Sequence, residues 1–461
     1  MLYRSTVERV ALESLPGGLD GAFVVKDLGA GVSCRVPIAV FADDGGTLPH
    51  GKTPPAWASS DSLPKLTALN RSTRLAGVAL GWGVWQHFYP YFDVVKTDWQ
   101  AALPAALTKA SEAPDELAYL LTLRELVAKL HDGHGNVSHP ALRAHSLLPL
   151  ALQWAGSDLV VVGKAASVPE SVAIGDAIVS IDGKPTGDCY GEVSKWISAA
   201  TNGWRRWNSS RALVADYPTR DPAQIVFSKP DGEPLTVALG RVAEGTANTA
   251  TTKRPASGTE LAPGVVYFDL DGADTLDPLM PKLVAAKAII FDLRGYPGAA
   301  GVELMKHLID GPATSARWCV PVIRRPDRQD VEWNESGWNL QPVEPHLKAK
   351  IAFLTDGRAI SYAESIMGIV ENYRFGEIIG STTAGTNGNV NPFRLPGGYV
   401  VSWTGMKVLK HDGSTHHGVG IAPTVPVTPT AKGIATGRDE VLEKAVEVMK
   451  AKIGGAGQRG E

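Results

Sequence analysis

The sequence predicts a multidomain α/β protein, and three observations support that prediction. The chain has 461 residues, which is enough for about three domains. After residue 258, short apolar runs alternate with segments of helical periodicity, which is typical of a largely parallel sheet with helices packed on it. Before that point, at about residue 147, helical periodicity gives way to short strand-like runs, which indicates a separate β-rich module.

The composition is that of a globular protein, with 44% hydrophobic and 20% charged residues. A formal net charge of −3 gives no reason to expect a nucleic-acid partner. No apolar run approaches the roughly 20 residues that span a bilayer, so no membrane span is expected. The N-terminus shows no basic patch followed by an apolar core. Localisation therefore stays open: periplasmic or secreted if an export signal is missing from this sequence, and otherwise cytoplasmic.

The cysteines and the common cofactor motifs exclude several classes of site. Cys34, Cys189 and Cys319 are widely spaced and odd in number, which excludes a disulfide framework and a CxxC metal site. No HExxH motif, Walker loop or strand-linked GxGxxG motif is present. Neither a cofactor nor a metal is therefore expected.

Residues 1–70 are predicted to form a β-rich segment of unknown role. Short apolar runs at 22–25 and 38–41 alternate with glycine, proline and aspartate turns, and a proline-rich linker at 53–55 follows.

Residues 71–146 show helical periodicity and carry a histidine on a loop. The spacing predicts a helix over 116–130 that Asp115 caps and that stops at 131–133, with Gly133 as the left-handed residue after it. His134 follows on the loop. In isolation His134 is an ordinary histidine near a helix end, and a metal pair with His131 lacks an identifiable third ligand.

Residues 147–243 are predicted to form a separate β-rich module. Strands are expected at 159–162, 224–227 and 235–239, with a helix over 191–199. The stretch Gly-Asp-x-Ile-x-x-Ile-Asp-Gly-Lys-Pro at 175–185 resembles the equivalent part of PDZ domains, which bind an extended peptide at a sheet edge. A linker rich in threonine and alanine follows at 244–257.

Residues 258–450 carry the predicted α/β core. Strands are expected at 265–270, 288–293 and 351–354, and helices at 279–286, 302–309 and 363–374. Reactive groups of such sheets gather beyond the carboxyl ends of the strands. The glycine-rich loop at 292–298 and the turn at Ser361 both lie there.

Ser361 is predicted to stand where a buried strand has turned and a helix begins. A hydroxyl at that place is exposed above the sheet, beside free backbone N–H groups that can bind an oxyanion. The alternative is structural, because Ser361 and Glu364 form the S-x-x-E pattern of a helix capping box.

Seven stretches, in order, resemble the tail-specific (C-terminal processing) proteases of the S41 family. They are Leu-His-Asp-Gly-His (130–134), the PDZ-like stretch (175–185), Phe-Asp-Leu-Arg-Gly-Tyr-Pro-Gly (291–298), Leu-Thr-Asp-Gly-Arg-Ala-Ile-Ser-Tyr-Ala-Glu-Ser (354–365), Ile-Gly-Ser-Thr-Thr-Ala-Gly-Thr-Asn-Gly (379–388), Gly-Ile-Ala-Pro-Thr-Val-Pro-Val (420–427) and Gly-Arg-Asp-Glu-Val-Leu-Glu-Lys-Ala (437–445). The resemblance covers about residues 71–449 and leaves 1–70 outside it.

The resemblance implies a fold, an activity and a set of site residues. The fold would be a ClpP/crotonase-like α/β core with a helical cap and a PDZ-like domain. The protein would be a serine endopeptidase that cleaves unfolded or C-terminal peptide segments, without a cofactor. Ser361 would be the nucleophile, and the backbone N–H groups of Tyr362 and of Gly298 or Gly295 would form the oxyanion hole.

Two branches of the family activate that serine differently. One uses a lysine in the stretch that corresponds to 384–387, but no lysine lies between Lys350 and Lys407. The tricorn-like branch uses a histidine at the position of His134, which would then be the general base. In that branch a serine precedes the histidine and a glutamate stands three residues before the glycine of the later Gly-x-x-Pro stretch, where this chain has Gly133 and His417.

The partner that would orient His134 therefore stays open. The candidates are Asp132, Asp412, His416 and His417. A catalytically weak or inactive ligand- or peptide-binding protein on the same scaffold is the alternative function, and a metallohydrolase is a distant third. A peptide or unfolded protein is the expected partner, and a homo-oligomer is an open alternative.

Overall fold

The structure is a computed structural model that describes residues 23–29, 31–50, 66–142, 146–229, 232–244, 254–323, 325, 328 and 330–454. The first part contains two short hairpins, formed by β1 (Phe23–Gly29) with β2 (Val32–Pro37) and by β3 (Ala42–Asp43) with β4 (Gly46–Thr47). Apolar side chains here, such as Val25 and Phe41, are exposed. The predicted linker at 53–55 lies outside the described residues.

A helical region follows, with the helices α1 (Arg71–Phe88), α2 (Phe92–Val95), α3 (Trp99–Glu112) and α4 (Glu116–Ala128). Asp115 caps α4 as predicted, and its side chain accepts a hydrogen bond from the Ala118 N–H at 2.7 Å. The predicted left-handed residue is wrong: His131, with φ 49°, takes that conformation instead of Gly133. Gly133 is required for packing, because a Cβ there would lie 2.9 Å from Ile360 Cδ1 and from Thr386 Oγ1.

The second β-rich part has its own antiparallel sheet and its own core. Its elements, with the strand that precedes it, are β5 (Asn136–Ser138), a 3₁₀ turn (Pro140–Leu142), β6 (Ser146–Leu147), β7 (Leu150–Ala155), β8 (Asp158–Lys164), β9 (Ala177–Ile181), β10 (Lys184–Pro185), α5 (Thr186–Ser194), α6 (Asn202–Ala215), β11 (Ala223–Lys229), β12 (Gly232–Leu239) and β13 (Val242–Ala243). The strand order is β12-β11-β9-β8-β7, and β10 pairs with β9. The predicted helix at 191–199 starts five residues too late, because the observed one is α5.

The last part is the α/β core. Its elements are β14 (Glu260–Ala262), β15 (Val265–Asp269), a 3₁₀ turn (Asp277–Leu279), α7 (Met280–Ala285), β16 (Ala288–Asp292), α8 (Ala300–Leu308), β17 (Ala313–Thr314), β18 (Arg317–Val322), β19 (Glu332–Ser336), β20 (Asn339–Leu340), β21 (Lys350–Thr355), α9 (Tyr362–Tyr373), β22 (Glu377–Gly380), β23 (Val390–Arg394), β24 (Val400–Thr404), β25 (Lys407–Leu409), β26 (Val425–Pro426), α10 (Ala431–Ala435) and α11 (Glu440–Gly454). The main sheet has the order β14-β15-β16-β21-β22-β26 and is parallel from β15 onward.

Both faces of this sheet are covered, which explains the continuous apolar runs of its strands. Alternate side chains of one strand point to opposite faces. In β21, Phe353 packs into the cluster that includes α8 and α9, whereas Leu354 packs against α11. Because β16 and β21 are parallel neighbours, with Asp292 paired to Leu354, their carboxyl ends lie side by side and the loops that follow them begin at the same edge.

A small sheet joins the helical region to the core. Its order is β23-β24-β5, with Val401 paired to Val137 and Ser402 paired to Asn136. This pairing brings the segment around residue 134 next to the end of β24, although the two are far apart in sequence.

The predicted mixed α/β class is confirmed. The ClpP/crotonase-like core, the helical cap, the PDZ-like domain and their boundaries stay predictions. Among the described residues, no helix has both the length and the apolar character needed to cross a membrane.

Candidate active site

Ser361 occupies a strained turn between β21 and α9. Its backbone has φ 59° and ψ −113°, a conformation that side chains with a Cβ rarely adopt. The side chain makes no capping hydrogen bond to the helix. The capping-box alternative is therefore wrong, and the hydroxyl is not used to start α9.

Glu364, the other member of that pattern, points away from Ser361 into a buried cluster. Its carboxylate accepts hydrogen bonds from Thr383 Oγ1, from the Gly385 N–H at 2.7 Å and from the Thr386 N–H at 2.8 Å. His416 Nε2 lies 3.2 Å from its Oε1. Burial raises the pKa of Glu364, but His416 and these donors outweigh it, so the pKa lies below its ordinary value. Glu364 is therefore a buried carboxylate that organises the 383–386 turn.

His134 is oriented through a hydroxyl. Its Nδ1 lies 2.9 Å from Thr404 Oγ1, and that hydroxyl donates to Asp132 Oδ1 at 2.6 Å. Asp132, which is fully buried, also accepts from the backbone N–H groups of Thr404 at 2.6 Å and of His134 at 3.0 Å. A hydroxyl has one hydrogen, so the Thr404 oxygen accepts from His134 Nδ1–H. The Nε2 of a neutral imidazole is then left as the acceptor.

Burial favours that neutral form. Removal from water lowers the pKa of His134 below its ordinary value, although the charges of Asp132 and Glu364 act in the opposite direction. At neutral pH the imidazole can therefore take up a proton.

Thr386 connects the Ser361 turn to the loop that carries His134. Its carbonyl accepts from the Ser361 N–H at 2.9 Å, and its Oγ1 accepts from the Gly133 N–H at 2.9 Å. Thr386 is thus bonded both to the predicted nucleophile, Ser361, and to Gly133, the residue before the predicted base.

The predicted oxyanion donors differ in whether their N–H groups already have an acceptor. Tyr362 is the first residue of α9, so its N–H has no acceptor within the helix. The Gly298 N–H donates to Leu270 O at 3.3 Å, and the Gly295 N–H donates to Leu293 O at 3.0 Å. An oxyanion would have to replace one of these two bonds, and the longer bond of Gly298 is the weaker.

The loop that carries these glycines is held by charged groups. Arg294 Nη2 lies 2.6 Å from Asp292 Oδ2 and 2.7 Å from Asp439 Oδ2. Burial raises the pKa of Asp292, but Arg294 and Arg254 outweigh it and lower the pKa below its ordinary value. Asp292 is therefore charged, and the loop is fixed at the carboxyl end of β16.

The other predicted orienting residues lie elsewhere. His416 Nε2 faces Glu364 Oε1 at 3.2 Å, and Asp412 is an exposed turn residue that accepts from the Ser414 N–H at 2.9 Å. His417 stacks on Tyr91 with ring centroids 4.0 Å apart, and its Nε2 lies 3.4 Å from the Tyr89 hydroxyl. Burial lowers the pKa of His417 to about 4. Of the four candidates, Asp132 is the one that is connected to the His134 ring by hydrogen bonds, through the Thr404 hydroxyl.

Sequence reasoning missed Thr404 and Thr386. Nothing local marks Thr404, because its place depends on the pairing of β24 with β5. Thr386 had a signal, since it lies in the stretch where the other branch of the resembled family has its lysine.

Comparison with known proteins bears on the family and the fold of the chain. Residues 267–427 match the model of Peptidase family S41. A Staphylococcus epidermidis protein named "Probable CtpA-like serine protease" is 28% identical over 205 residues, which are 41% of this chain and 40% of the relative. The chain thus spans about two fifths of that relative's length.

Among solved structures, mature CPAF complexed with lactacystin superposes with a TM-score of 0.69 and 16% identity, over 84% of this chain and 99% of that one. A second structure of mature CPAF has a TM-score of 0.68, 15% identity and the same coverage. At this level of identity the likeness shows the fold alone. Residues 267–427 therefore match peptidase family S41, which is the family that the motifs predicted.

Proposed function

We propose that the protein is a serine endopeptidase of the tail-specific kind, with Ser361 as nucleophile and His134 as general base. The observation that carries this proposal is that Thr386 bonds both to Ser361 and to the loop that presents His134. The Ser361 hydroxyl makes no capping bond to α9. The match of residues 267–427 to peptidase family S41 supports the same reaction class.

The chemistry follows from these groups. His134 Nε2 takes the proton from Ser361 Oγ as that oxygen attacks the peptide carbonyl carbon. The carbonyl oxygen of the tetrahedral intermediate becomes an anion, which the N–H of Tyr362 and of Gly298 or Gly295 would stabilise. The imidazolium returns its proton to the amine nitrogen as the C–N bond breaks, which leaves an acyl-enzyme. Water then hydrolyses the ester with His134 again as base.

Asp132 is the proposed third member. The imidazolium needs a negative charge near Nδ1, and the Thr404 hydroxyl carries the polarising effect of the buried Asp132 carboxylate to the ring. Asp412, His416 and His417 have no such role in this proposal.

The proposed substrate is an unfolded or C-terminal peptide segment. Residues 147–243 would act as a PDZ-like module that holds an extended segment along an edge of its sheet. Residues 71–146 would be the helical cap that carries the base, 258–450 the catalytic core and 1–70 an additional β-rich segment. For the oligomeric state, the proposal includes two alternatives, a monomer and a homo-oligomer.

A second function has one observation in its favour. Because the Gly298 and Gly295 N–H groups already have acceptors, the oxyanion hole is incomplete as it stands. A weak or inactive peptide-binding protein on this scaffold would not need a complete oxyanion hole.

Labelling with a fluorophosphonate tests the choice. Wild-type protein should gain the mass of one phosphonyl group, at Ser361, and the Ser361→Ala variant should not. If folded wild-type protein does not label, the binding alternative is supported. Label at another serine in both proteins would exclude Ser361 as the nucleophile.

A further inference from the structure

Thr386 makes contacts that go beyond any role assigned to it so far. It is completely buried, and its three polar groups bond to two different segments, the start of α9 and the loop that carries His134. The carbonyl accepts from Ser361, the hydroxyl accepts from Gly133, and the N–H donates to Glu364. A residue bonded in this way fixes the relative position of these two segments.

The bond to Glu364 makes the attachment rigid. Glu364 lies in the first turn of α9, and Ser361 immediately precedes that helix. The Ser361 N–H to Thr386 bond and the Thr386 N–H to Glu364 bond therefore close a ring through the helix. His416 and Thr383 hold the Glu364 carboxylate from other directions. Thr386 thus cannot move without breaking its charge-assisted bond to Glu364.

The contact with Gly133 sets the distance between Thr386 and the loop that carries His134. A Cβ at Gly133 would lie 2.9 Å from Thr386 Oγ1 and from Ile360 Cδ1, so the backbone of the loop is already at its closest approach. On its far side the loop is held as well, because the Asp132 N–H donates to Ser198 Oγ at 2.9 Å. The loop that presents His134 is therefore fixed between Ser198 and Thr386.

We infer that Thr386, held by Glu364, is the positioning residue that sets the separation of Ser361 and His134. The inference rests on the proposed function. Thr386 bonds to the backbone on both sides, and none of its bonds is to the His134 ring or the Ser361 hydroxyl. It therefore acts on geometry, whereas Thr404 and Asp132 act on the charge of the ring. A displacement of about 1 Å in such a pair can lower a rate by about 100-fold.

The test compares Thr386→Val with Thr386→Ser in the full chain. The valine has nearly the same shape and lacks the hydroxyl, and the serine keeps it. Fluorophosphonate inactivation of each protein gives a maximal rate of acylation and a half-saturating concentration as functions of pH. Hydrogen exchange of the 132–135 segment gives a second readout that does not depend on activity.

We expect Thr386→Val to lower the maximal acylation rate by about 10- to 100-fold, with an unchanged pH midpoint and faster exchange of 132–135. Thr386→Ser should restore both. Thr122→Val is the matched control: it removes another buried threonine hydroxyl, which donates to the Ala118 carbonyl within α4, and it touches neither Ser361 nor the 132–135 segment, so its rate should stay near wild type.

Two outcomes would overturn the inference: a Thr386→Val protein with wild-type rate and exchange, or a loss that Thr386→Ser does not restore. If Thr386→Val does not fold, Gly133→Ala pushes the same contact apart from the other side and should give the same loss of rate. A wild-type protein that never labels at Ser361 would instead refute the proposed function, and the exchange result would then decide whether Thr386 holds the loop.

Discussion

His134 Nδ1 and Thr404 Oγ1 lie 2.9 Å apart, and the same hydroxyl donates to the buried Asp132. The proposed base thus reaches a carboxylate through a residue of β24. This arrangement differs from a direct histidine–carboxylate pair, since the carboxylate is one hydroxyl further away.

Removing the Thr404 hydroxyl should show whether it is needed for catalysis. Thr404→Val leaves Asp132 and His134 in place but breaks the connection between them, so we expect acylation of Ser361 to fall by about 100-fold. Thr404→Ser keeps the hydroxyl and should retain most of the rate. Fluorophosphonate kinetics measure both. Equal rates for the valine and serine variants would show that the hydroxyl is not needed.

The pH dependence of acylation should report the burial of His134. Because its pKa lies below the ordinary value, the ring stays neutral to a lower pH than that of a free histidine. The acylation rate should therefore fall only as pH drops below about 6.5, when the imidazole becomes protonated. A rate profile from pH 4 to 8 measures the midpoint. A midpoint above that value would contradict a base held neutral by burial.

Ser361 should be dispensable for folding. Its side chain makes no capping bond, so Ser361→Ala should change the free energy of unfolding by no more than about 0.5 kcal/mol while abolishing labelling. Ser361→Gly should be more stable than the alanine variant by about 1 kcal/mol, because glycine adopts a positive φ without a Cβ penalty. Denaturant titrations of the two inactive proteins give the difference. An alanine variant as stable as the glycine one would argue against strain at this turn.

His417 should make the fold sensitive to acid. Its pKa of about 4 lies below the ordinary 6.5, so between these values the unfolded chain binds a proton that the folded protein does not. The stability contributed by the neutral ring is complete above about pH 6.5 and decreases towards pH 4, by about 3 kcal/mol in total. His417→Gln removes the titrating group and should flatten that part of the curve. Urea titrations at several pH values measure it, and an identical slope in both proteins would contradict the assignment.

The core could be predicted from the sequence because its strands are buried on both faces. The runs at 265–270, 288–293 and 351–354 match β15, β16 and β21 to within one residue at each end. α6 was missed because its buried face includes Ser209 and Ser210, which give no apolar period.

The site was predictable only in part, for a related reason. Ser361, Tyr362 and the glycine loop stand at the carboxyl ends of predicted strands, so their placement follows from the fold. The partner of His134 depends on the pairing of β24 with β5, which joins residues far apart in sequence and has no local pattern. Gly133 was assigned to a left-handed turn, whereas it is needed for its close contact with Thr386.

The pairing of β5 with β24 also bears on biosynthesis. On a ribosome, the segment with His134 emerges before Ser361, Thr386 and Thr404, which follow it by more than 220 residues. A chain still being made therefore has a histidine without its hydroxyl partner and without a serine to activate. If the proposed function holds, a cell that produces this protein is not exposed to its hydrolytic activity until synthesis has passed Thr404.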